Sequence, residues 1–539
     1  MNFDLPGTGT DQSPVFLNAA DCRAWLARMP LANATQAQPM ISRQINLLHR
    51  FALPPTERFA ILESLRGPLS EVQDAAARQF AGKPLPLAPD EQAALDGTLG
   101  VWHLLALGYL RCFAALCVAD DGRAPAPALL AQRTLSVFAD WQVDLCRGQQ
   151  LPDASYWKKL NQVFSAAETL GISGSAVGDP VRHGNLPTSA LAAYAECTLL
   201  TTANLYELPA RHLAWVARWA RRWGAKLALL KAPPEDIRSR AVPLWVDLES
   251  DRPASYVPQS TTSGLWLDTT ELRKSLLARV VLLEQGRAPA ELQLGDDVTQ
   301  PAAGQLLQRV LQRWCKGGTP RRHERHSASG GCGLIAGFEA VHFQLSGRRP
   351  FHAPSRDTAT LRREREQFEV FGVRRQSVPD IMKQADSPVE AWQVADDWHL
   401  LNESATGLRI TRPLVHGGRV GAGLLIAVRM PGSLHFTLGS LRWALRESSE
   451  SLAAGIQLFP GEARPVAVRI VESGDARGPW LQGFLLPGIA ALDEPASVIV
   501  PAGTFRIDRG IEAMVDQQMQ AFKLLRVLDH GLEFERCSI

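Results

Sequence analysis

Trp398-His399-Leu400-Leu401-Asn402-Glu403-Ser404-Ala405-Thr406-Gly407-Leu408-Arg409-Ile410 is the stretch whose reading decides the fold. Apolar residues flank a small polar centre, so the segment sits where one strand turns into the next. The centre, Asn402 to Gly407, has the form (D/N)-x-S-x-x-G. Taken alone it reads as an Asx-turn: Asn and Ser bond nearby backbone, and Gly supplies a positive φ. Upstream stands the chain's local basic cluster, Pro320-Arg321-Arg322-His323-Glu324-Arg325-His326. Arg321 and Arg325 are spaced R-x-x-x-R, with Arg322 beside the first. Taken alone, that spacing reads as a solvated linker after a helix.

Around these two motifs the pattern is that of short strands. Val341 to Leu345, Leu424 to Val428, Val466 to Val471 and Ser497 to Val500 are β-like runs, many separated by Gly and Pro. Such punctuation predicts a small β-barrel. Residues 347–395 interrupt it with Arg, Asp, Glu and Gln, most densely at Arg362-Arg363-Glu364-Arg365-Glu366, and read as an insertion. The tail, 473–539, has further β character at Trp480 to Leu486, Ser497 to Ile507 and Phe522 to Leu532. It completes the barrel or forms a second one, and the sequence leaves both open.

Before the boundary at Gly317-Gly318-Thr319-Pro320 the period is helical. Phe59, Leu62, Leu65, Leu69 and Val72 line one helix face, with Gly67-Pro68 expected to break or kink it. Leu213, Val216, Trp219 and Trp223 repeat the stripe, with Gly224 as a C-terminal cap; tryptophans so spaced are core before they are a partner surface. The expected organisation is a tail (1–40), a helical bundle or solenoid-like domain (41–235), and a mixed α/β connector (236–317). The connector holds a strand near Val242 to Leu248 and helices over Leu272 to Glu284 and Ala303 to Trp314. The barrel with its insertion (318–472) and the β tail follow, an α+β multidomain chain.

The composition excludes much. The 539 residues suggest about three domains. Lys plus Arg is 57 against 55 for Asp plus Glu, a net charge of +2, which argues against a long polyanion as partner. The first residues lack a basic n-region and an apolar h-region, so no signal peptide is expected. The apolar run Val101 to Val118 contains His103, Gly108 and Arg111 and reads as a buried helix rather than a membrane span. Eight scattered cysteines, without C-x-x-C or a zinc-spaced Cys/His set, fit free thiols in a reducing cytoplasm. His323 and His326 lack a third ligand pattern, so no metal is expected. Gly171-Ile172-Ser173-Gly174-Ser175 lacks the last Gly of a nucleophile elbow, and phosphate-loop, dinucleotide and zinc-protease motifs are missing. No catalytic residue and no cofactor is therefore expected.

Together and in this order, the arginine motif and Asn402-x-Ser404-x-x-Gly407 resemble the PilZ domain, the bacterial receptor module for cyclic di-GMP. Gly439-Ser440-Leu441-Arg442-Trp443 and Gly455-Ile456-Gln457-Leu458 are similar to later strands of that family. The resemblance covers about 318–346 and 396–472 and implies a six-stranded antiparallel β-barrel. The tail would then complete it or be a second, degenerate PilZ-like barrel. The resemblance also implies that Arg321 and Arg325 clamp phosphate and guanine, with Arg322 as a third contact. Asn402, Ser404 and Gly407 would form the guanine-side wall. The chemistry agrees: a guanidinium neutralises phosphate, forks onto the guanine O6/N7 edge and stacks on a base.

Two features depart from the family pattern. The separation from Arg325 to Asn402 is longer than usual, and Glu324 places an acid inside the arginine motif, where an ion pair would weaken binding. The implied function is a non-catalytic, cytoplasmic cyclic di-GMP receptor whose helical domain engages an unidentified protein partner. The alternative is a ligand-independent scaffold in motility, secretion or polysaccharide machinery.

Overall fold

Short polar side chains and prolines start many of the early helices. Asn18 accepts a hydrogen bond from the Asp21 N–H at the head of α1 (Ala19–Leu26), and Asn33 does the same for Gln36 in α2 (Ala34–Arg50). Pro55 opens α3 (Pro55–Ala77), where its missing N–H costs nothing; α4 (Pro89–Leu116) follows, and Pro127 opens α5 (Pro127–Arg147). Asp153 caps α6 (Ala154–Thr169). A small ladder of β1 (Val177–Gly178) and β2 (Pro187–Thr188) brackets the short α7 (Pro180–His183), and Ser189 then caps α8 (Ala190–Thr202). After α9 (Ala210–Trp223), strands β3 (Ala228–Leu230), β4 (Leu244–Val246) and β5 (Leu265–Asp268) form an antiparallel sheet in the order β3-β5-β4. Helices α10 (Thr270–Glu284) and α11 (Ala302–Cys315) end this part.

This computed structural model describes the chain except residues 1, 2, 4, 6, 8, 10, 11, 117–124, 234–240, 259–263, 319–323, 355–394 and 472–476. It divides into two units, Met1–Lys83 with Leu87–Arg321, and Pro84–Pro86 with Arg322–Ile539. The centre of the insertion, including Arg362 to Glu366, lies outside the described residues, as do Arg321, Arg322 and His323.

One apolar core runs through the first unit from Phe3 to Cys315, so the connector's strands and helices share it with the helical array. Trp215, Trp219 and Trp223 are buried in it, as their spacing suggests. The apolar helix α4 passes a length-and-composition test for a membrane span, yet 61% of that window is buried, against α2, α3 and α5. Gly67-Pro68 does not break α3, which runs through both residues. Pro68 forfeits one hydrogen bond, but the buried Leu65, Leu69 and Val72 anchor the helix on both sides of it. Gly224 does cap α9, but with right-handed φ −53. Its smallness serves close approach, since a Cβ there would lie 2.5 Å from the Ala192 carbonyl oxygen of α8.

The second unit begins with β6 (His326–Ser327) and β7 (Gly331–Ala336), then α12 (Phe338–Leu345). Val341 to Leu345 is thus helix, correcting the strand expected there. Strands β8 (Asp396–Ser404), β9 (Gly407–Pro413), β10 (Leu425–Arg429), β11 (Phe436–Arg446) and β12 (Ser451–Leu458) complete the first sheet. Its order β6-β8-β7-β10-β11-β12-β9, with β8 also pairing β9, closes a ring of six antiparallel strands; β6 pairs β8 on the same edge as β7, just ahead of it in the chain. The α+β architecture with a six-stranded barrel is therefore as expected.

The tail does not add to that ring. Strands β13 (Arg464–Val471), β14 (Leu481–Leu486), β15 (Ser497–Pro501), β16 (Arg509–Val515), β17 (Gln518–Leu524), β18 (Arg526–His530) and β19 (Phe534–Ser538) make a second sheet. Its order is β17-β16-β13-β14-β15-β19-β18. Val466 to Val471, read with the first barrel, pairs instead with β14 and β16. Between the sheets, Phe338 and Val341 of α12 join Leu425, Leu438, Phe484, Ile499 and Phe534 in one core. Glu533 ties the same junction, accepting from the Leu425 N–H at 3.0 Å.

Candidate nucleotide-binding face

Alternation along β8 and β9 buries Trp398, Leu400, Leu408 and Ile410 inside the ring and turns the intervening residues outward. Ala405 and Thr406 form the turn between the paired Ser404 and Gly407. Ser404 Oγ donates to the Gly407 carbonyl at 3.2 Å, and the Thr406 carbonyl accepts from the Leu458 N–H at 2.9 Å. Gly407 is not among the glycines with positive φ. Space there is tight: a Cβ would stand 3.2 Å from the Ile456 carbonyl oxygen, which would have to give by a few tenths of an ångström, and 3.5 Å from Ser404 Oγ.

Strand β6, in line with β7 along β8, brings the first motif to the second. His326 pairs with Glu403 and Ser327 with Asn402, so the chain before β6 arrives beside the hairpin. Arg325 Nη1 donates to Asn402 Oδ1 at 3.3 Å across 77 positions of sequence. Strand pairing thus bridges the long separation created by the insertion. Glu324 is exposed and, among the described residues, forms no ion pair. Arg325, Asn402, Ser404 and Gly407 therefore lie together on one outward face; Arg321 and Arg322 lie outside the described residues.

Register adds residues that motif reading did not single out for the site. Opposed residues of an antiparallel pair share a face. One row runs Asn402, Arg409, Gly455, Trp443 across β8, β9, β12 and β11. The next row runs Ser404, Gly407, Gln457. The Trp443 indole lies directly over Gly455, whose Cβ would stand 2.2 Å from its Nε1. Arg409 forms an ion pair with Glu447. The signal for Arg409 was available in the two-residue period from Gly407; the others need the register of separate strands. The face thus offers cations, an aromatic surface and small residues where a planar base can approach.

Behind the face, Arg412 points into the ring and stacks on Trp398, its guanidinium carbon 4.8 Å from the ring centre. Burial lowers its pKa, against the pull of nearby Asp396. Among the described residues no group of His, Cys, Asp and Glu is placed to hold a metal ion.

A closed six-stranded ring with an arginine segment delivered beside an Asn-x-Ser-x-x-Gly hairpin defines a PilZ-type receptor barrel. Three family models match the chain in order. "Cyclic-di-GMP receptor FimW, N-terminal domain" covers residues 20–235, the middle PilZ domain of the same receptor covers 244–399, and "FimW C-terminal beta-barrel domain" covers 466–539. The chain belongs to this family of PilZ-domain cyclic di-GMP receptors, a binding family rather than an enzyme family. The cyclic-di-GMP receptor FimW of Pseudomonas aeruginosa is 24% identical, over 93% of this chain and 87% of its own length. The middle match includes Arg321 to Arg325, whereas Asn402 to Gly407 fall between the second and third matches.

Proposed function

We propose that this chain is a cyclic di-GMP receptor and that the nucleotide sits on the outward face of the first barrel. The observation that carries the reading is the Arg325–Asn402 hydrogen bond, which joins both motifs on one face. Arg325, with Arg321 and Arg322 preceding it, supplies cations for the phosphates and forks for guanine. Asn402, Ser404 and Gly407 form the wall against one base, and Trp443 is a stacking surface beside it. Binding replaces the Arg325–Asn402 contact with contacts to nucleotide and biases how the barrel presents itself to the helical unit. The helical unit is the output module that engages a protein partner, in the cytoplasm, and no cofactor takes part.

Titration calorimetry of the full chain tests this. The expected result is saturable heat with cyclic di-GMP that is lost in the Arg321→Ala, Arg325→Ala double variant. Unchanged binding in that variant would overturn the site. No heat from the wild type would favour the ligand-independent scaffold.

A further inference from the structure

Arg442, on β11, donates from Nε at 2.8 Å and from Nη2 at 2.5 Å to the single oxygen Oε1 of Gln457 on β12. A guanidinium has no acceptor, so the atom facing it must be the amide oxygen. The opposite orientation would set N–H against N–H. Arg442 is itself fixed by an ion pair to Asp529 of β18 in the second sheet. Both lone pairs of the Gln457 oxygen are therefore taken, and its NH2 group turns away from Arg442. Gln457 is exposed, lies opposite Gly407, and among the described residues its Nε2 has no partner.

A free glutamine amide offers one donor and one acceptor, the pattern that matches adenine's N7 acceptor and N6 donor. With its oxygen occupied, Gln457 offers donors only. Guanine's corresponding edge presents two acceptors, O6 and N7. Adenine would bring its N6 donor against the same NH2.

Resting on the cyclic di-GMP reading, we infer that Gln457, locked as a donor by Arg442 and Asp529, reads the acceptor edge of one guanine and selects guanine over adenine. The selectivity of the first barrel then depends on a residue of the second sheet, because Asp529 holds Arg442 in place.

The full chain is titrated in parallel with cyclic di-GMP and cyclic di-AMP. Gln457→Met keeps the length and removes both donors; the expected result is roughly a tenfold loss of cyclic di-GMP affinity and a smaller preference for it. Arg442→Met frees the amide oxygen; the preference narrows because binding of cyclic di-AMP improves relative to cyclic di-GMP. Unaltered melting temperatures show that both variants keep the fold. Wild-type binding that Arg325→Ala weakens, with an unchanged nucleotide preference in Gln457→Met, overturns this inference alone. A wild type that binds neither nucleotide overturns the receptor reading and this inference with it.

Discussion

Gly455 shows how much one missing methyl group decides. The residue has no positive φ, so alanine suits its backbone. A Cβ would nevertheless collide with the half-buried Trp443 indole, which would have to shift. Gly455→Ala is therefore expected to cost about 1–3 kcal/mol of stability. If Trp443 is the stacking surface, cyclic di-GMP affinity falls about tenfold. Calorimetry beside thermal melting separates the two effects, and unchanged affinity would remove Trp443 from the site. Asn402, Ser404 and Gly407 were legible in the sequence because they are close together on one hairpin. Arg409 was within reach of the two-residue period from Gly407, but Gln457 and the position of Trp443 were not, because a row across four strands exists only once register is set.

At the scale of elements, the same distinction separates what strand patterns reveal from what they leave open. Alternation marked Val466 to Val471 as a strand correctly, but alternation does not name the neighbour, and β13 pairs in the second sheet. Val341 to Leu345 looked alternating because it is short. It is helical because Gly337, at φ +104, turns the chain, and Phe338 and Val341 then face the core between the sheets.

In the first unit, the segment around α7 is held by charge. Asp179, fully buried, receives Arg66 at 2.9 Å and lies 3.5 Å from Arg133. Burial alone would raise the Asp179 pKa; the hydrogen bond and charge of Arg66, with the charge of Arg133, hold it well below the ordinary carboxylate value of 3.8. A carboxyl depressed in the folded state contributes stability that is present above its unfolded pKa and lost as pH falls below it. The first unit should thus weaken progressively below about pH 4. Asp179→Ala should remove that acid sensitivity and cost about 3–5 kcal/mol, because it leaves buried Arg66 without its closest counter-charge. Denaturant melts at neutral and acid pH read both effects. A stability loss within experimental error at neutral pH would contradict the role of this ion pair.

For the whole molecule, the near-balance of charge bears on the partner. A net charge of +2 suits neither a polyanion track nor a strongly basic surface. It leaves room for a small dianion met locally, and Arg325 and Arg409 stand on one barrel face, before Arg321 and Arg322 are counted. The helical stripes, the change of period near residue 317 and the paired motifs made the broad architecture readable. The existence of a separate second sheet was not readable, since its strands have the same composition as the first. The most direct test of the account is a structure of the full chain with cyclic di-GMP. The account predicts a guanine against Ser404 and Gly407, with Arg325 turned from Asn402 onto the nucleotide. Nucleotide bound away from that face, with the Arg325–Asn402 hydrogen bond intact, would contradict it.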